Sequence, residues 1–534
     1  MKIKILSSLE KVFSDTEPEA KERCSYSIFQ NERLSFQAAF CADADGEIKA
    51  RVSPAYSDHV TVYSVKDVPV GLAAFDFSDD FFIKKTSGMY PDILVPADTV
   101  NAESGKWYSF WFEFEPAGIS GKCEMEITVG AETRKVSVNV IPADLPGQTL
   151  IYTNWFHCDA ICDYYGVEAF SDEFYDIFRS FVSAAVRHGM NCILTPLFTP
   201  ALDTAVGGER TTAQLVGVTE AGDSWRFDLS GLKKWVEICR SLGIRYFEMS
   251  HFFTQWGAEH APKIIATGAD GVRRKIFGWE TETHSESYER FLTAFASDLK
   301  EFIRDNSLEN SVFFHISDEP DSDHIETYAY RAEFIKNLFG EFPIIDALSD
   351  YEFYEKGFVD IPIPNVNSAG KFYGKVPHFW TYYCCGQCNE NVPNRFMAMP
   401  SVRNRILGIL CYKYSVEGFL QWGYNFYNTQ YSLKHIDPYE VTDAGGSFPS
   451  GDSFSVYPGK NGEAICSLRL KVFYEAMQDI SALKLLESLT DKETADKLLG
   501  DITFKDYPHS PDFLLDLRER INGLIQSNFK SDIL

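Results

Sequence analysis

The sequence predicts an α/β protein in which an N-terminal β-sandwich precedes a (β/α)8 barrel of the TIM type. Three observations support this class. Short β-type runs occur up to about residue 145, and strand and helix patterns alternate after residue 150. In the alternating part, the links from strand to helix are long and the links from helix to strand are short. A chain of 534 residues is long enough for about three domains. We predict a sandwich over residues 1–145, a catalytic barrel over 146–490, and a helical tail over 491–534 that packs on the barrel.

The sandwich prediction rests on short runs rich in Val, Phe and Tyr that turn residues separate. These runs are residues 33–41 (RLSFQAAFC), 60–65 (VTVYSV), 107–114 (WYSFWFEF) and 135–140 (KVSVNV). Such runs are typical of two packed antiparallel sheets. Residues 141–149 (IPADLPGQT) carry two prolines and a glycine, so we predict a linker there.

The barrel prediction rests on eight strand candidates that amphipathic helical stretches mostly separate. The strand candidates are residues 151–155, 192–198, 245–253, 312–319, 344–349, 359–363, 379–384 and 418–426, and the clearest helices are 171–188, 230–242, 287–304 and 394–414. The fifth and sixth helices are weak in sequence. An apolar-rich helix at 467–489 completes the predicted barrel.

The connections between these elements differ in length by direction. Links from a helix into the next strand are short, as at 189–191 and 243–244, whereas strand-to-helix links such as 199–226, 254–284 and 427–466 are long. In a barrel the long links lie on the C-terminal face, where TIM-barrel enzymes place their active sites. The alternative interpretation is that they are tolerated insertions.

The composition excludes several classes of function. With 77 acidic and 50 basic residues the chain carries a formal charge of −27, which repels nucleic-acid phosphates and anionic lipid. No apolar stretch is long enough to span a bilayer, and Glu10 and Lys11 interrupt the N-terminal one before a signal peptide would form. The cysteines lack the spacing of a small disulfide-rich domain, which indicates reduced thiols. We therefore expect a cytoplasmic protein that binds neither nucleic acid nor membrane.

The sharpest local motif is FFHISDEP at residues 313–320. A β-type run ends there in two carboxylates, Asp318 and Glu319, and Pro320 blocks further ladder pairing. We expect both acids at the end of the fourth barrel strand. Glycoside hydrolysis needs a proton donor and a second group that stabilises the developing positive charge, which such a pair supplies. The alternative is a helix N-terminus capped by Ser317 or Asp318.

Aromatic residues gather near the predicted strand ends and form a candidate sugar-binding wall. Sugar rings stack on aromatic faces, and a pocket of this kind needs only a few convergent polar groups. Each single member is also explained by core packing, so the group carries the prediction. The candidate substrate-binding residues are Trp155, His251, Trp256, Tyr382, Tyr383, Trp422, Tyr424 and Asn425.

Two small clusters invite a metal interpretation, one of Cys384, Cys385 and Cys388 and one of His157, Cys158 and Cys162. Neither offers the clear second pair that zinc sites show, so we predict free thiols, no metal and no cofactor. The chain has no nucleophile elbow, phosphate-binding loop or dinucleotide fingerprint in a strand-turn-helix context. A Cys–His pair that meets only in the fold stays open.

FFHISDEP and six further stretches on both sides of it make the sequence resemble glycoside hydrolase family 123 and the related domain-of-unknown-function family 4091. The stretches that carry the resemblance are YPDILVP (90–96), HGMNCILTPLFTPALDT (188–204), FEMSHFFTQWGA (247–258), NRFMAMPSVRNRILG (394–408), GFLQWGYNFY (418–427) and GDSFSVYPG with its downstream SLRL (451–470). They cover most of the chain. The resemblance implies a β-sandwich followed by a barrel, in agreement with the pattern.

The resemblance also implies a retaining, substrate-assisted mechanism in which the sugar's 2-acetamido oxygen attacks the anomeric carbon. Glu319 would then be the acid/base, with a pKa raised by burial beside Asp318, and Asp318 would hold the acetamido N–H. Tyr382 or Tyr383 would bind the acetamido carbonyl. An internal nucleophile removes the need for an enzyme carboxylate beneath the ring, as in other exceptions to the two-carboxylate scheme.

Because the characterised members of the family that it resembles are β-N-acetylgalactosaminidases, the resemblance implies an exo-acting β-N-acetylgalactosaminidase that releases terminal GalNAc from glycans or glycolipid-derived oligosaccharides. Its only expected partner is the carbohydrate substrate, and a homodimer is compatible with this architecture. Two alternatives stay open: a glycosidase for another sugar, such as β-GlcNAc or a β-galactoside, and a barrel that binds carbohydrate without catalysis.

Overall fold

A computed structural model describes residues 1–531 except 256, 321, 322 and 324. Its N-terminal part consists of two five-stranded sheets, in the orders β1-β3-β8-β5-β6 and β2-β10-β9-β4-β7. The strands are β1 (Lys2–Ser7), β2 (Ser25–Phe29), β3 (Leu34–Cys41), β4 (Gly46–Val52), β5 (Val60–Val70), β6 (Gly88–Pro96), β7 (Thr99–Ala102), β8 (Trp107–Phe114), β9 (Gly121–Val129) and β10 (Glu132–Ile141). All four runs predicted from sequence are strands.

The two sheets pack face to face, and β8 explains why its sequence is so apolar. Phe110, Phe112 and Phe114 of β8 point into the core between the sheets, where Phe112 stacks on Phe36 of β3 at 5.2 Å. Trp111 points the other way into the large core shared with the second half of the chain. Strand β8 is therefore buried on both faces. A continuous apolar run without alternating polar residues is typical of such a strand.

The second half contains eight parallel strands at the eight predicted positions. The full set of strands after residue 150 is β11 (Ile151–Asn154), β12 (Cys192–Thr195), β13 (Gly217–Ala221), β14 (Ser224–Asp228), β15 (Tyr246–Met249), β16 (Ile264–Thr267), β17 (Arg273–Phe277), β18 (Val312–Phe314), β19 (Ile345–Ala347), β20 (Ile361–Ile363), β21 (Trp380–Tyr382), β22 (Gly418–Gln421), β23 (Val456–Pro458) and β24 (Ala464–Cys466).

Six of the eight form one parallel sheet in the order β18-β15-β12-β11-β22-β21. Strands β19 and β20 pair with each other in parallel, and single parallel bridges link Phe314 to Ile344 and Asn365 to Tyr382. The predicted strands are too long: the fourth was expected over 312–319 but ends at Phe314, so Asp318 and Glu319 lie beyond it. The chain leaves the ladder early because backbone N–H groups after Phe314 bond the Asp346 side chain instead.

The helices cover the sheet from outside and include the four clear ones predicted. They are α1 (Cys158–Tyr165), α2 (Asp172–Arg187), α3 (Ser230–Leu242), α4 (Glu286–Asp305), α5 (Ile325–Phe339), α6 (Tyr351–Glu355), α7 (Ser401–Lys413), α8 (Leu468–Leu489), α9 (Lys492–Leu499) and α10 (Pro511–Ser531). The sixth, α6, has only 5 residues. None of the described helices is both long and apolar enough to cross a membrane.

Helices α7 and α8 are buried nearly all round, and they approach each other closely at one glycine. A Cβ on Gly408 would lie 2.1 Å from the backbone oxygen of Ala476, so a larger residue there would force the helices apart. The C-terminal helix α10 packs on α8 and on β2, and Arg518 of α10 pairs with Asp479 and Glu32. The tail is therefore part of the packed structure.

The two long links 199–226 and 254–284 fold together, which the sequence did not indicate. Strands β13 and β14 form a hairpin in the first link and β16 and β17 form one in the second. Thr219 of β13 pairs in parallel with Thr267 of β16, giving a four-stranded sheet in the order β14-β13-β16-β17. Two connections that looked independent thus form one small structural unit.

Buried ion pairs connect the N-terminal sheets to α8. Arg469 donates to both carboxylate oxygens of Asp92 in β6, at 2.8 and 2.9 Å, and Lys471 donates to Glu113 in β8 at 2.7 Å. All four side chains are almost fully buried. Removing the partner of such a fully buried charge strongly destabilises the folded state, because the remaining charge is left without compensation.

We expect Asp92→Ala to destabilise the protein by about 3–5 kcal/mol, because it leaves the buried Arg469 guanidinium unpaired. Chemical denaturation followed by circular dichroism measures this loss. Glu124→Ala is the matched control, since Glu124 pairs with Lys122 on the exposed face of β9 and should change stability by less than about 1 kcal/mol. Equal, small effects of both substitutions would contradict the prediction.

Candidate active site

Asp318 and Glu319 lie in an irregular segment that follows β18. Glu319 adopts a left-handed backbone conformation with φ of 47°, and its N–H donates to the carbonyl of Ala347 at 3.1 Å. Successive side chains on a strand point to opposite faces. The left-handed residue breaks that alternation, and both carboxyl groups line one cavity.

The capping interpretation of this motif does not fit the contacts. The Ser317 hydroxyl donates to the carbonyl of Thr254 at 2.8 Å, and the Asp318 carboxylate accepts from a glutamine side chain. Within the described part of the chain, neither residue accepts a bond from a helix N-terminus. Helix α5 begins only at Ile325.

The cavity has a volume of about 170 Å³ and lies at the carboxyl ends of the parallel strands. Three of the residues predicted from sequence line it together with the acid pair, namely Trp155, Tyr382 and Trp422. The lining residues that sequence reasoning missed are Leu202, Asp203, Gln255, Ala347, Cys384, Cys385, Leu420, Gln430 and Phe448. Most of the polar ones come from the long links, where no periodic pattern marks them.

Four other predicted contact residues are placed away from the cavity wall among the described residues. Tyr383 is fully buried on the helix side and packs on Phe419 at 4.9 Å. Tyr424 donates its hydroxyl to the carbonyl of Phe181, and Asn425 bonds the backbone of His157. His251 is buried behind Trp155. Trp256, the eighth predicted contact, lies outside the described residues.

Tyr382 contacts the acid pair directly. Its hydroxyl donates to Glu319 Oε1 at 2.7 Å, and the thiol of Cys384 lies 3.9 Å from the same oxygen. Burial, together with the nearby charge of Glu319, raises the pKa of Tyr382 well above its ordinary value, so this phenol stays a donor. Its neighbour Tyr383 points to the opposite face, as alternation along β21 requires.

Gln255 holds the other carboxylate. Its Nε2 donates to Asp318 Oδ2 at 2.7 Å, and its Oε1 accepts from the backbone N–H of Asp203. Burial, and then the adjacent charge of Glu319, raise the pKa of Asp318 well above the ordinary aspartate value. Asp318 therefore keeps its proton to a higher pH than an isolated aspartate would.

A fully buried charge network lies beneath the pair. His315 bonds Glu248 through Nε2 at 2.6 Å and Asp346 through Nδ1 at 2.9 Å. Burial alone would lower the pKa of His315, but the bonds to Asp346 and Glu248 outweigh it and raise the pKa to about 10. The ring is therefore an imidazolium that donates from both nitrogens.

The same network holds the aromatic wall and the acid-bearing segment in place. Glu248 also accepts from the Trp155 indole at 2.7 Å and from the Thr153 hydroxyl at 2.6 Å. Asp346 also accepts from the Tyr328 hydroxyl and from the N–H groups of Ile316 and Ser317. One imidazolium thus joins the first, third, fourth and fifth strands of the parallel set.

His251 stacks on His315 with ring centroids 4.1 Å apart, and neither of its ring nitrogens has a partner in the described structure. Burial lowers the pKa of His251 well below the ordinary value, so it is neutral beside the His315 cation. Ligand atoms of His251, His315 and Asp346 lie within 4.8 Å of one another. Both nitrogens of His315 are already occupied by carboxylates, which leaves none free to ligate a metal.

Trp422 also lines the cavity, and a buried acid fixes its position. Its indole donates to Asp452 Oδ2 at 3.0 Å, and its ring meets Phe426 and Phe448 edge-on at 5.0 and 5.4 Å. Burial raises the pKa of Asp452 to about 7. The face of this indole is therefore held rigidly at the cavity.

The comparisons with known proteins identify the family. The sequence model for the glycoside hydrolase 123 catalytic domain matches residues 155–486, which is more than half of the chain. The chain belongs to glycoside hydrolase family 123. The matched region of this family 123 enzyme holds every residue that lines the cavity.

A solved structure supports the fold over the whole length. A family 123 glycoside hydrolase from Clostridium perfringens, studied for glycolipid glycan hydrolysis, superposes with a TM-score of 0.74 at 14% identity, covering 99% of this chain and 98% of the other. At that identity the likeness concerns the fold alone. No curated protein sequence matches.

Two further structures belong to other glycosidases and superpose poorly. They are a β-D-glucuronidase from Dictyoglomus thermophilum, with a TM-score of 0.35 at 9% identity, and a GH2 β-galacturonidase from Eisenbergiella tayi, with a TM-score of 0.32 at 10% identity. Each match covers 90% of this chain and 97% of the other. At these TM-scores, neither structure supports a conclusion about the fold or the function of this family 123 protein.

The His315 network predicts a pH-dependent stability. Because the folded-state pKa of about 10 exceeds the ordinary value of 6.5, His315 stabilises the fold fully below pH 6.5, and this contribution is lost as the pH rises through about 10. The thermal midpoint of His315→Gln should lie furthest below wild type near pH 6 and approach it toward pH 10. His378→Gln is the control, since His378 pairs with Glu417 on the surface. A gap that stays constant with pH would contradict the assignment.

Proposed function

We propose that this glycoside hydrolase is a retaining exo-β-N-acetylgalactosaminidase that acts by substrate-assisted catalysis. The observation that carries the proposal is the convergence of Asp318 and Glu319 on one small cavity that two fixed indoles, Trp155 and Trp422, also line. Two carboxyl groups and aromatic walls are what hydrolysis of a bound sugar requires. A confined cavity of this kind favours a single terminal residue over a stretch of polysaccharide.

Glu319 is the proposed acid/base, and Tyr382 orients it. The phenol donates to Oε1 at 2.7 Å, and the other oxygen, Oε2, which accepts no hydrogen bond from the described residues, is the one we assign to the glycosidic oxygen. The backbone N–H of Glu319 donates to the carbonyl of Ala347, and this bond fixes the residue at the cavity. As acid, Glu319 protonates the departing oxygen, and as base it then takes a proton from the water that opens the cyclic intermediate.

Asp318 is the proposed acceptor for the acetamido N–H. Burial, and then the charge of Glu319, raise the pKa of Asp318 well above the ordinary aspartate value in the free site. A donor hydrogen bond favours the ionised form of a carboxyl group. When the acetamido N–H binds, we therefore expect Asp318 to ionise and the proton of the pair to reside on Glu319, where it is needed.

The acetamido oxygen then attacks the anomeric carbon from within the substrate. Ionised Asp318 stabilises the positive charge that develops on the acetamido nitrogen, and the glycosidic bond breaks as Glu319 gives its proton to the leaving oxygen. The nucleophile is already held beside the carbon, which supplies much of the rate. Water then attacks the anomeric carbon from the face that the leaving group departed from, opposite the acetamido oxygen, while Glu319 takes its proton. The bond between the anomeric carbon and the acetamido oxygen breaks, which regenerates the acetamido group and retains the original configuration.

The terminal GalNAc of a glycolipid-derived or other glycan is the proposed substrate. The Clostridium perfringens family member was studied for glycolipid glycan hydrolysis, and its fold spans this entire chain. We further propose that the eight parallel strands close into one (β/α)8 barrel over residues 146–490, with the sandwich before it and the helical tail after it. All twelve cysteines are free thiols, which supports a reducing, cytoplasmic location.

The test is a panel of aryl glycosides of β-GalNAc, β-GlcNAc, β-galactose and α-GalNAc, run with wild type, Asp318→Asn and Glu319→Gln. We expect turnover confined to 2-acetamido β-sugars, highest for β-GalNAc, and a loss of roughly 10²–10⁴-fold in kcat/KM in both variants. Turnover of the plain β-galactoside would overturn substrate assistance, because that sugar has no internal nucleophile. Binding without turnover of any substrate would favour the non-catalytic alternative.

Tyr382→Phe tests the orientation of the acid/base. Loss of a hydrogen bond to a carboxylate should lower kcat/KM on the preferred substrate by roughly 10- to 100-fold. Tyr383→Phe provides a matched control in the neighbouring residue, because its hydroxyl is buried on the opposite face without a partner among the described residues. Equal activities of the two variants would contradict the role of Tyr382.

A further inference from the structure

Asp203 lines the cavity beside the acid pair, although no sequence pattern singled it out. It follows β12 in the first long link, and Gln430 and Leu202 are its neighbours on the cavity wall. Its backbone is in the left-handed region with φ of 42°, which is unfavourable for a residue other than glycine. Strained backbone that the surroundings maintain concentrates at functional sites.

Only one of the two carboxylate oxygens of Asp203 accepts a hydrogen bond from the described residues. Oδ2 accepts from the backbone N–H of Tyr431 at 3.1 Å, while Oδ1 meets no donor in the described part of the chain. No cation within the described residues forms a salt bridge with it, because Arg210 nearby is committed to Asp159. Burial raises the pKa of Asp203 to about 6. A partly buried acid without a full set of donors is costly unless a ligand supplies them.

A continuous chain of contacts connects Asp203 to the acid pair. The N–H of Asp203 donates to Gln255 Oε1, and Gln255 Nε2 donates to Asp318 Oδ2 at 2.7 Å. The polar groups along this wall therefore follow the order Glu319, Asp318, Gln255, Asp203. The backbone group of Asp203 positions Gln255, and its side chain is left to face the ligand.

This order matches the order of substituents around a 2-acetamido sugar. With the leaving oxygen at C1 facing Glu319 and the nitrogen at C2 facing Asp318, the next groups along the ring in the same direction are the hydroxyls at C3 and C4. Neighbouring hydroxyls donate well to a single carboxylate, since it offers two oxygens with several acceptor positions.

We propose that Asp203 accepts hydrogen bonds from the C3 and C4 hydroxyls of the bound sugar and thereby determines the configuration that the enzyme selects at C4. The inference rests on the proposed function, because that function fixes which ring atoms face Asp318 and Glu319. Asp203 is then a specificity-determining residue, and the link through Gln255 couples recognition at C4 to the placement of Asp318.

The test uses aryl β-GalNAc and its 3-deoxy and 4-deoxy analogues with wild type, Asp203→Asn and Asp203→Gly. Asparagine and glycine both tolerate the left-handed backbone, and both retain the N–H that holds Gln255. Asparagine also retains an oxygen for the Tyr431 N–H. We expect kcat/KM on the parent substrate to fall roughly 10-fold in Asp203→Asn and roughly 100-fold in Asp203→Gly.

The deoxy analogues provide the decisive comparison. For wild type, kcat/KM on the 4-deoxy sugar should be roughly 10- to 100-fold lower than on the parent sugar. For Asp203→Gly the two values of kcat/KM should be nearly equal, because the acceptor of the C4 hydroxyl has already been removed. Discrimination between β-GalNAc and β-GlcNAc should shrink in the same variant. Thermal melts establish that each variant is folded, and should Asp203→Gly not fold, the same loss of discrimination in Asp203→Asn tests the proposal.

Ser432→Ala is the matched control for a purely structural role. The Ser432 hydroxyl donates to the Asp203 carbonyl at 2.7 Å, so this variant loosens the same loop contact without altering the carboxylate. We expect it to keep the wild-type ratio between parent and deoxy substrates. If it reproduces the Asp203 variants, or if Asp203→Gly still discriminates against the 4-deoxy sugar, the inference is overturned while the proposed function stands. If wild type hydrolyses none of these sugars, the proposed function fails and the inference fails with it.

Discussion

The fixed position of the His315 imidazolium between Glu248 and Asp346 is the constraint on which the site depends. Its two hydrogen bonds, at 2.6 and 2.9 Å, are fully buried, so they are neither screened by salt nor exchanged with water. Through Asp346 the network ends β18 early and fixes the segment that carries the acids, and through Glu248 it orients an indole of the pocket. The positive charge also offsets the cost of keeping several carboxylates together in one interior.

The surrounding architecture makes that interior possible. The α/β half is large enough to bury aromatic layers on both sides of its parallel strands, and the N-terminal sheets extend this core through Trp111. Buried pairs such as Arg469–Asp92 hold the two halves in one arrangement. The candidate active-site cavity therefore lies on a rigid support, while part of its polar lining comes from the longer connections, as is common for enzymes of mixed α/β architecture.

Sequence reasoning located the strands and the acid pair because those signals are local. FFHISDEP combines a β-type run with two acids, and the period of two along β21 distinguishes Tyr382 from Tyr383 once the inward face is known. Which face is inward depends on how the helices and long links pack around the sheet, so the sequence left both tyrosines as candidates. Tyr424 and Asn425 lie away from the cavity wall because the chain departs from the strand after Gln421. Asp203 and Gln255 were missed because they meet Asp318 only through folding of two distant links.

The small sheet that joins those two links has a consequence for changing this enzyme. Asp203 precedes β13 and Gln255 precedes β16, and the Thr219–Thr267 pairing ties the two hairpins together. Neither loop is an independent module: an insertion, deletion or graft in one displaces the support of the other. Chimeras with homologous proteins should therefore fold when residues 199–284, which include β15, are exchanged as one segment. Chimeras with a crossover point within this segment should not fold. The two connections that hold Asp203 and Gln255 therefore behave as one unit in any such exchange.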